Sequence, residues 1–291
     1  MSESVVTYYE QQERVNAYFQ SHSSFWKDIY ASQGVFAQIH RDRHAAVLGW
    51  IDGLGLAQGA CVLEVGCGAG FMSIALAQRG FRVHAIDSVE SMVGQARQNA
   101  AEAGVAGLLS LDIADVYALA FEDESFDLVI ALGVIPWLEH PQQAIQEMAR
   151  VTRPGGHVIL TADNRVRLNF LLDPLLNPAL APLKRKIKRA LGGSGLRHRA
   201  PGKRETIFHA FHDGHFIDDT LAGAGLVKTS SMTLGFGPFS LFRHKILPEP
   251  FATTLHHRLQ RLANRGMPGF RSTGAHYIVL AGKQASRHIP R

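Results

Sequence analysis

The chain has 291 residues, of which 46% are hydrophobic and 19% charged, the balance of a folded protein, so disordered and fibrous architectures are excluded. A chain of that length buries a large core without staples. Its two cysteines, Cys61 and Cys67, are too few for a disulfide framework or a CxxC-type zinc site, and a net charge of +5 is too modest an excess to identify a nucleic-acid or membrane partner by itself.

The first 50 residues read as helical and carry the aromatics Tyr8, Tyr9, Tyr18, Phe19, Phe25, Trp26 and Tyr30. No basic segment followed by an apolar one stands at the start, so no signal peptide is read. With both cysteines inside apolar sequence, a reducing cytoplasmic setting is expected. A helix is expected from about Arg41 to Leu54, where Ala45, Leu48, Ile51 and Leu54 recur at helical spacing. Cys61–Val65 is then a short apolar run ending in glycines, the mark of a buried parallel strand.

Strands and helices alternate from there. A helix over Phe71–Arg79 precedes a strand at Arg82–Ile86 that ends at Asp87, and a helix over Val89–Ala103 stops at Gly104. Leu108–Leu111 is a weak strand and Phe126–Ala131 a strong one. A helix covers Pro141–Val151, and Pro154-Gly155-Gly156 turns into a strand at His157–Thr161. This rhythm predicts βαβ units and a doubly wound α/β sheet with helices on both faces. After Asp163 the rhythm breaks, then resumes with a helix at about Phe216–Ala224 and strands at Lys228–Leu234 and His276–Ala281. The expected organisation is a helical lid over 1–42, a ligand-binding core over 43–163, a basic and apolar insertion over 164–215, and a completion of the sheet over 216–291 with a second insertion at 236–272.

The segment Glu64-Val-Gly66-Cys-Gly68-Ala-Gly70 carries the chemistry. Glycines at alternate positions between a strand and a helix let a ligand approach bare backbone. The dinucleotide fingerprint G-x-G-x-x-G would need a further glycine where Phe71 stands. Taken with Asp87, Asp115 and Pro154-Gly155-Gly156, the stretches VLEVGCGAG (62–70), VHAIDSVESMV (83–93), IADVYALAFEDESFDLVIALGV (113–134) and ARVTRPGGHVIL (149–160) resemble, in order and spacing, the class I S-adenosylmethionine-dependent methyltransferases of small-molecule type.

The resemblance implies a Rossmann-like seven-stranded sheet, S-adenosylmethionine as methyl donor and S-adenosylhomocysteine as product. It places the methionine moiety over Gly66, Gly68 and Gly70 with Glu64 close by. It puts the ribose hydroxyls on Asp87, in a charge-assisted bidentate contact. Ser88 and Met92 pack on the adenine, Asp115 and the backbone of Val116 take its amino group, and Leu132 and Gly133 line the floor near the sulfonium. Plain structural roles compete: Asp87 as a helix N-cap, Asp112 as a rival to Asp115, and Cys67 as a packing residue.

For the acceptor, Ile207–Phe216 holds His209, His212 and His215. That spacing drifts around a helix and no cysteine joins it, so no metal site is expected. His212 and His140 are the candidate bases for an O-methylation, favoured over C- or N-methylation. Tyr8, Tyr18, Phe19 and Trp26 resemble the helical lid of family members, and His40, Arg41 and Arg43 are within reach of a methionine carboxylate. Nine cations fall between Lys184 and Arg204, where Leu183, Ile187 and Leu191 form an apolar stripe. That pattern fits an acceptor lid with a glycine hinge at 192–195, a peripheral membrane contact over 168–191, or a solvated face. DNA is not expected as a partner, since Leu132–Trp137 carries no NPPY-type element. RNA is disfavoured because no RNA module is appended. An RNA methyltransferase and a noncatalytic binding subunit are the competing functions; the oligomeric state is left open.

Overall fold

The computed structural model describes residues 3–183, 186, 208–242 and 244–284, with backbone only at 3–10, 24 and 27. Most of the basic run after Leu183, the glycine hinge, and the side chains of Tyr8 and Tyr9 lie outside the described residues. Three helices come first: α1 (Glu3–Ser21), α2 (Ser23–Asp28) and α3 (Val35–Asp52). The core alternates β1 (Cys61–Val65), α4 (Phe71–Ala77), β2 (Arg82–Asp87), α5 (Glu90–Glu102), β3 (Leu109–Ile113), β4 (Phe126–Ala131), α6 (Pro141–Val151) and β5 (Thr152–Asp163). Then follow α7 (Leu168–Leu172), α8 (Gly214–Gly223), β6 (Leu226–Leu234), the short hairpin β7 (Ser240–Leu241) and β8 (His244–Lys245), α9 (Glu249–Asn264) and β9 (His276–Lys283).

The main sheet has seven strands in the order β3-β2-β1-β4-β5-β9-β6. β1 to β5 run parallel, and β9 is antiparallel to both β5 and β6. Every residue of β4 is buried, as a central strand covered on both faces requires. Its side chains alternate between two cores: Leu128 and Ile130 pack toward α3, α4 and α5, while Val129 and Ala131 pack toward α6 and α8. The buried carboxylate of Asp127 is accounted for by the Cys61 amide, which donates to it at 2.7 Å, and by Arg153.

The structure differs from the pattern reading in three places. β5 begins at Thr152 and takes in the Pro154-Gly155-Gly156 segment, because Thr152 already pairs with Phe126 across a register shift. The apolar stretch from Leu168 is broken into a single helical turn, a 3-10 segment (Pro178–Leu180) and helical residues at 181–183, since Pro174 and Pro178 interrupt it. The insertion at 236–272 contains α9, a helix of 16 residues that docks on α3. That joint is polar. His256 is fully buried; its Nδ1 accepts the Phe236 amide at 3.0 Å and its Nε2 lies 2.8 Å from Asp42. Among the described residues no helix is long and apolar enough to cross a membrane.

Candidate active site

The carboxyl ends of β1, β2, β4 and β5 open on one cavity of about 510 Å³, the place where open α/β sheets take ligands. The turn after β1 forms one wall. Gly66 (φ +69) and Gly68 (φ +52) hold left-handed backbone, which glycine enters without strain. A Cβ on Gly66 would collide with Val134, whereas one on Gly68 would meet no atom within 4 Å. Gly68 lines the cavity, so its missing side chain leaves room for a ligand against the backbone. Gly70 does not line it. It opens α4, and a Cβ there would come within 2.9 Å of Ala96, so close packing on α5 requires a glycine at this position.

Asp87 ends β2 beside that turn. Its Oδ2 accepts the Gly68 amide at 2.9 Å and its Oδ1 the Val89 amide at 3.0 Å. Burial pushes its carboxyl up, against the pull of those amides. Each oxygen keeps a further lone pair for a ligand donor. Glu64 is buried, accepts the Ser73 hydroxyl, and is pushed up to about 8 by burial, toward its neutral form. Ser88, Met92, Asp115, Val116, Leu132 and Gly133 complete this half of the cavity. Ser88 donates to Asn16 at 2.9 Å, which ties α1 to the cleft. Asp115 lines the cavity and accepts the Tyr117 amide; its rival Asp112 stands outside it.

Arg43 reaches in from α3. Its Nη1 would lie 3.2 Å from a Cβ on Gly133, and its buried Nε has no hydrogen-bond partner among the described residues. An orphaned cationic donor here fits an anionic ligand group such as a carboxylate. His40 also lines the cavity, held down to about 3 by burial and by the Arg43 charge. Arg41 turns away and donates to the carbonyls of Tyr30 and Ser32.

The opposite wall centres on Asp163, the last residue of β5. His276 Nδ1 lies 2.9 Å from Asp163 Oδ1, and His209 Nε2 lies 3.2 Å from Oδ2. Arg167 Nη2 is 3.0 Å away as an ion contact, not an aligned hydrogen bond. Burial would raise the Asp163 carboxyl, but the bonds from His209 and His276 and the Arg167 charge outweigh it and hold the group far below the usual carboxylate range. The tautomer that turns Nε2–H toward Asp163 leaves His209 a lone pair on Nδ1. The rest of this wall is aromatic. Tyr18 stacks on Trp137 at 5.7 Å, and Phe19 and His209 meet Trp137 edge-on at 5.0 and 4.6 Å.

The bases expected from the sequence stand elsewhere. His212 stacks on Phe216 at 4.7 Å outside the cavity lining, and His140 opens α6, with its amide on the Tyr117 hydroxyl, also outside the lining. The histidine of that segment which faces the cavity is His209. Asp163, Arg167, His276 and Trp137 were missed, and only Asp163 carried a sequence signal, as the polar end of a core strand.

One cluster elsewhere, Asp42 with His256 and His257, brings metal-capable atoms within 4.8 Å of one another. His256 uses its Nδ1 lone pair on the Phe236 amide and its Nε2–H on Asp42, so it has no lone pair left for an ion.

A family model described as a methyltransferase domain matches residues 63–160. A ubiquinone biosynthesis O-methyltransferase from Paracidovorax citrulli is 39% identical over 126 residues, 43% of this chain and 52% of that protein. A phosphatidylethanolamine N-methyltransferase from Cereibacter sphaeroides is 38% identical over 104 residues, 36% of this chain and 51% of that protein. The match thus spans about half the length of these relatives. Among solved structures, the magnesium protoporphyrin IX methyltransferase from Synechocystis PCC 6803 aligns with a TM-score of 0.60 at 22% identity, covering 94% of this chain and all of that one. The [4+2]-cyclase SpnF aligns at 0.58 and 18% identity, over 93% and 95% of the two chains.

Proposed function

We propose that this chain, which carries a methyltransferase domain in a class I methyltransferase fold, moves a methyl group from S-adenosylmethionine to a small, largely apolar acceptor, with a hydroxyl oxygen as the favoured target. The fold alone does not decide this, since one structural neighbour is named a cyclase. The observation that carries the reading is the division of a single cavity. Bare backbone at Gly68, the anchored Asp87 and the orphaned Arg43 donor line one half, and the His209–Asp163 pair among aromatics lines the other.

The residues present fit the donor. Asp87 offers lone pairs to ribose hydroxyls, Asp115 and Val116 flank the place for adenine, and Arg43 faces the place for the methionine carboxylate. When bound, S-adenosylmethionine supplies a methyl group on a sulfonium whose bonding pair leaves with sulfur. His209 takes the acceptor hydroxyl proton on Nδ1 as the oxygen lone pair forms its new bond to carbon. Asp163 stabilises the imidazolium and fixes its tautomer. Tyr18, Phe19 and Trp137 hold the acceptor in line and exclude water.

Titration calorimetry with S-adenosylmethionine tests the reading. Dissociation constants near 1 μM, or about −8 kcal/mol, that weaken at least tenfold in Asp87→Ala are the expected result. No binding by a folded, ligand-free protein overturns it.

A further inference from the structure

The hairpin β7–β8 and the start of α9 present apolar side chains to solvent beside the cavity mouth. Ile246 is 55% exposed, Phe251 69% and Phe242 52%. Phe242 also holds φ +49, a left-handed conformation that is unusual for a bulky aromatic residue. Scattered exposed apolar residues are ordinary, but a contiguous set marks an interaction surface. Contiguity with the cavity runs through the chain: Gly237 and Pro238, just before β7, line the cavity, and the Ile246 amide donates to the Phe239 carbonyl. Glu249, which opens α9, accepts the Val35 amide at 2.9 Å. Next to Val35 is Phe36, exposed and facing the cavity beside Phe25.

The charge on α9 continues this surface. Its buried face carries Ala252, His256, Gln260 and Ala263. Phe251, Thr254, Arg258, Arg261 and, just past its end, Arg265 are all exposed at spacings of three and four, which is one stripe along a helix. The only acid in the helix is Glu249, already paired with Lys245 at 3.0 Å. An apolar tip followed by a row of arginines is the arrangement that inserts at an interface and lays cations over phosphates.

We infer that the β7–β8 tip and the arginine stripe of α9 dock this protein on an anionic phospholipid bilayer, with the cavity mouth toward the lipid. Phe242, Ile246 and Phe251 enter the interface, and Arg258, Arg261 and Arg265 neutralise lipid phosphates. The purpose of docking, delivery of an apolar acceptor without passage through water, rests on the proposed function; the docking itself does not.

The test is co-sedimentation of the full chain with phosphatidylcholine vesicles, alone or with one quarter phosphatidylglycerol, at low and high salt. Sedimentation is expected with the anionic vesicles and should fall with salt. F242E/F251E and R258E/R261E should each weaken it roughly tenfold or more, about fivefold per arginine from charge alone. These side chains are exposed, so the melting temperature of each variant should stay at the wild-type value. Wild-type protein left in the supernatant at every lipid concentration overturns the inference, as does wild-type sedimentation by both variants. Binding of an RNA oligonucleotide that is lost in R258E/R261E, with no vesicle binding, overturns it in favour of RNA. A dimer that F242E/F251E dissociates, again with no vesicle binding, overturns it in favour of a second copy. Calorimetry with S-adenosylmethionine on the same samples should be unchanged; its failure in wild type sinks the proposed function and leaves the vesicle result readable.

Discussion

Asp163→Asn is the substitution on which the acceptor half of the cavity stands or falls. The carboxylate is buried and serves two imidazole donors, His276 at 2.9 Å and His209 at 3.2 Å, with the Arg167 guanidinium at 3.0 Å. Asparagine keeps one acceptor oxygen and sets an NH₂ against the other imidazole N–H, so one donor meets a donor and the guanidinium loses its counter-charge. Hydrogen bonds to charged groups contribute about 1.5–3 kcal/mol each, and breaking a buried ion pair by removing one partner costs about 3–5 kcal/mol. The expected loss in a denaturant titration at pH 7 is therefore about 3–5 kcal/mol, or a fall in Tm of roughly 6–12 °C. The pH dependence supplies a second reading with a definite sign. A carboxyl held below its unfolded value of 3.8 contributes stability that is present above that value and lost as pH falls through the folded one. Wild type should thus lose stability more steeply than Asp163→Asn on acidification below about pH 5. A loss under 1 kcal/mol at pH 7, or parallel acid profiles, would refute the view that an ionised Asp163 organises His209 and His276.

Three other outcomes follow from the same geometry. His209→Gln should leave S-adenosylmethionine affinity unchanged by calorimetry while lowering the rate on a hydroxyl acceptor found by screening roughly 100-fold or more. Gly68→Ala should cost about 1–2 kcal/mol of stability from its left-handed backbone and weaken donor binding, whereas Gly66→Ala, which collides with Val134, should cost more stability in the same denaturation experiment. Glu64 is raised to about 8, so its neutral form favours folding below pH 4.5 and that contribution fades as pH climbs toward 8; Glu64→Gln should therefore gain on wild type by more than 1 kcal/mol between pH 5 and pH 8, measured by denaturation.

The half of the cavity proposed for the donor was legible because it is local. Glu64, Gly66, Gly68, Asp87, Ser88, Met92, Asp115, Val116, Leu132 and Gly133 all line the cavity, and all but Met92, in the first turn of α5, sit at or just past the carboxyl end of a parallel strand, where hydrophobic runs and glycines mark the turn in sequence. Gly70 stands outside the cavity lining although it carries the same letter as Gly66 and Gly68, and the sequence pattern does not separate them. His212 was preferred over His209 on proximity to the late helix. The two differ by one helical turn's worth of chain, and the β5 end at Asp163, more than 40 residues upstream, decides which one faces the cavity.

The acceptor half was illegible for a topological reason. β9 runs antiparallel to β5, pairing Asp163 with His276, so the first residue of the last strand arrives at the same sheet edge as the last residues of the parallel strands. A sequence pattern reads carboxyl ends of strands as ligand sites and passes over a histidine at an amino end. Only knowledge of strand direction puts His276 behind Asp163. The consequence is chemical as well as geometric. Burial pulls the His276 imidazole toward its neutral form, against the pull of the Asp163 carboxylate, so it orients the carboxylate without cancelling its charge. The negative charge stays available to His209, which lines the cavity together with His276. A base at this position thus needs both directions of the sheet, the parallel strand for its carboxylate and the antiparallel one for the donor that holds it.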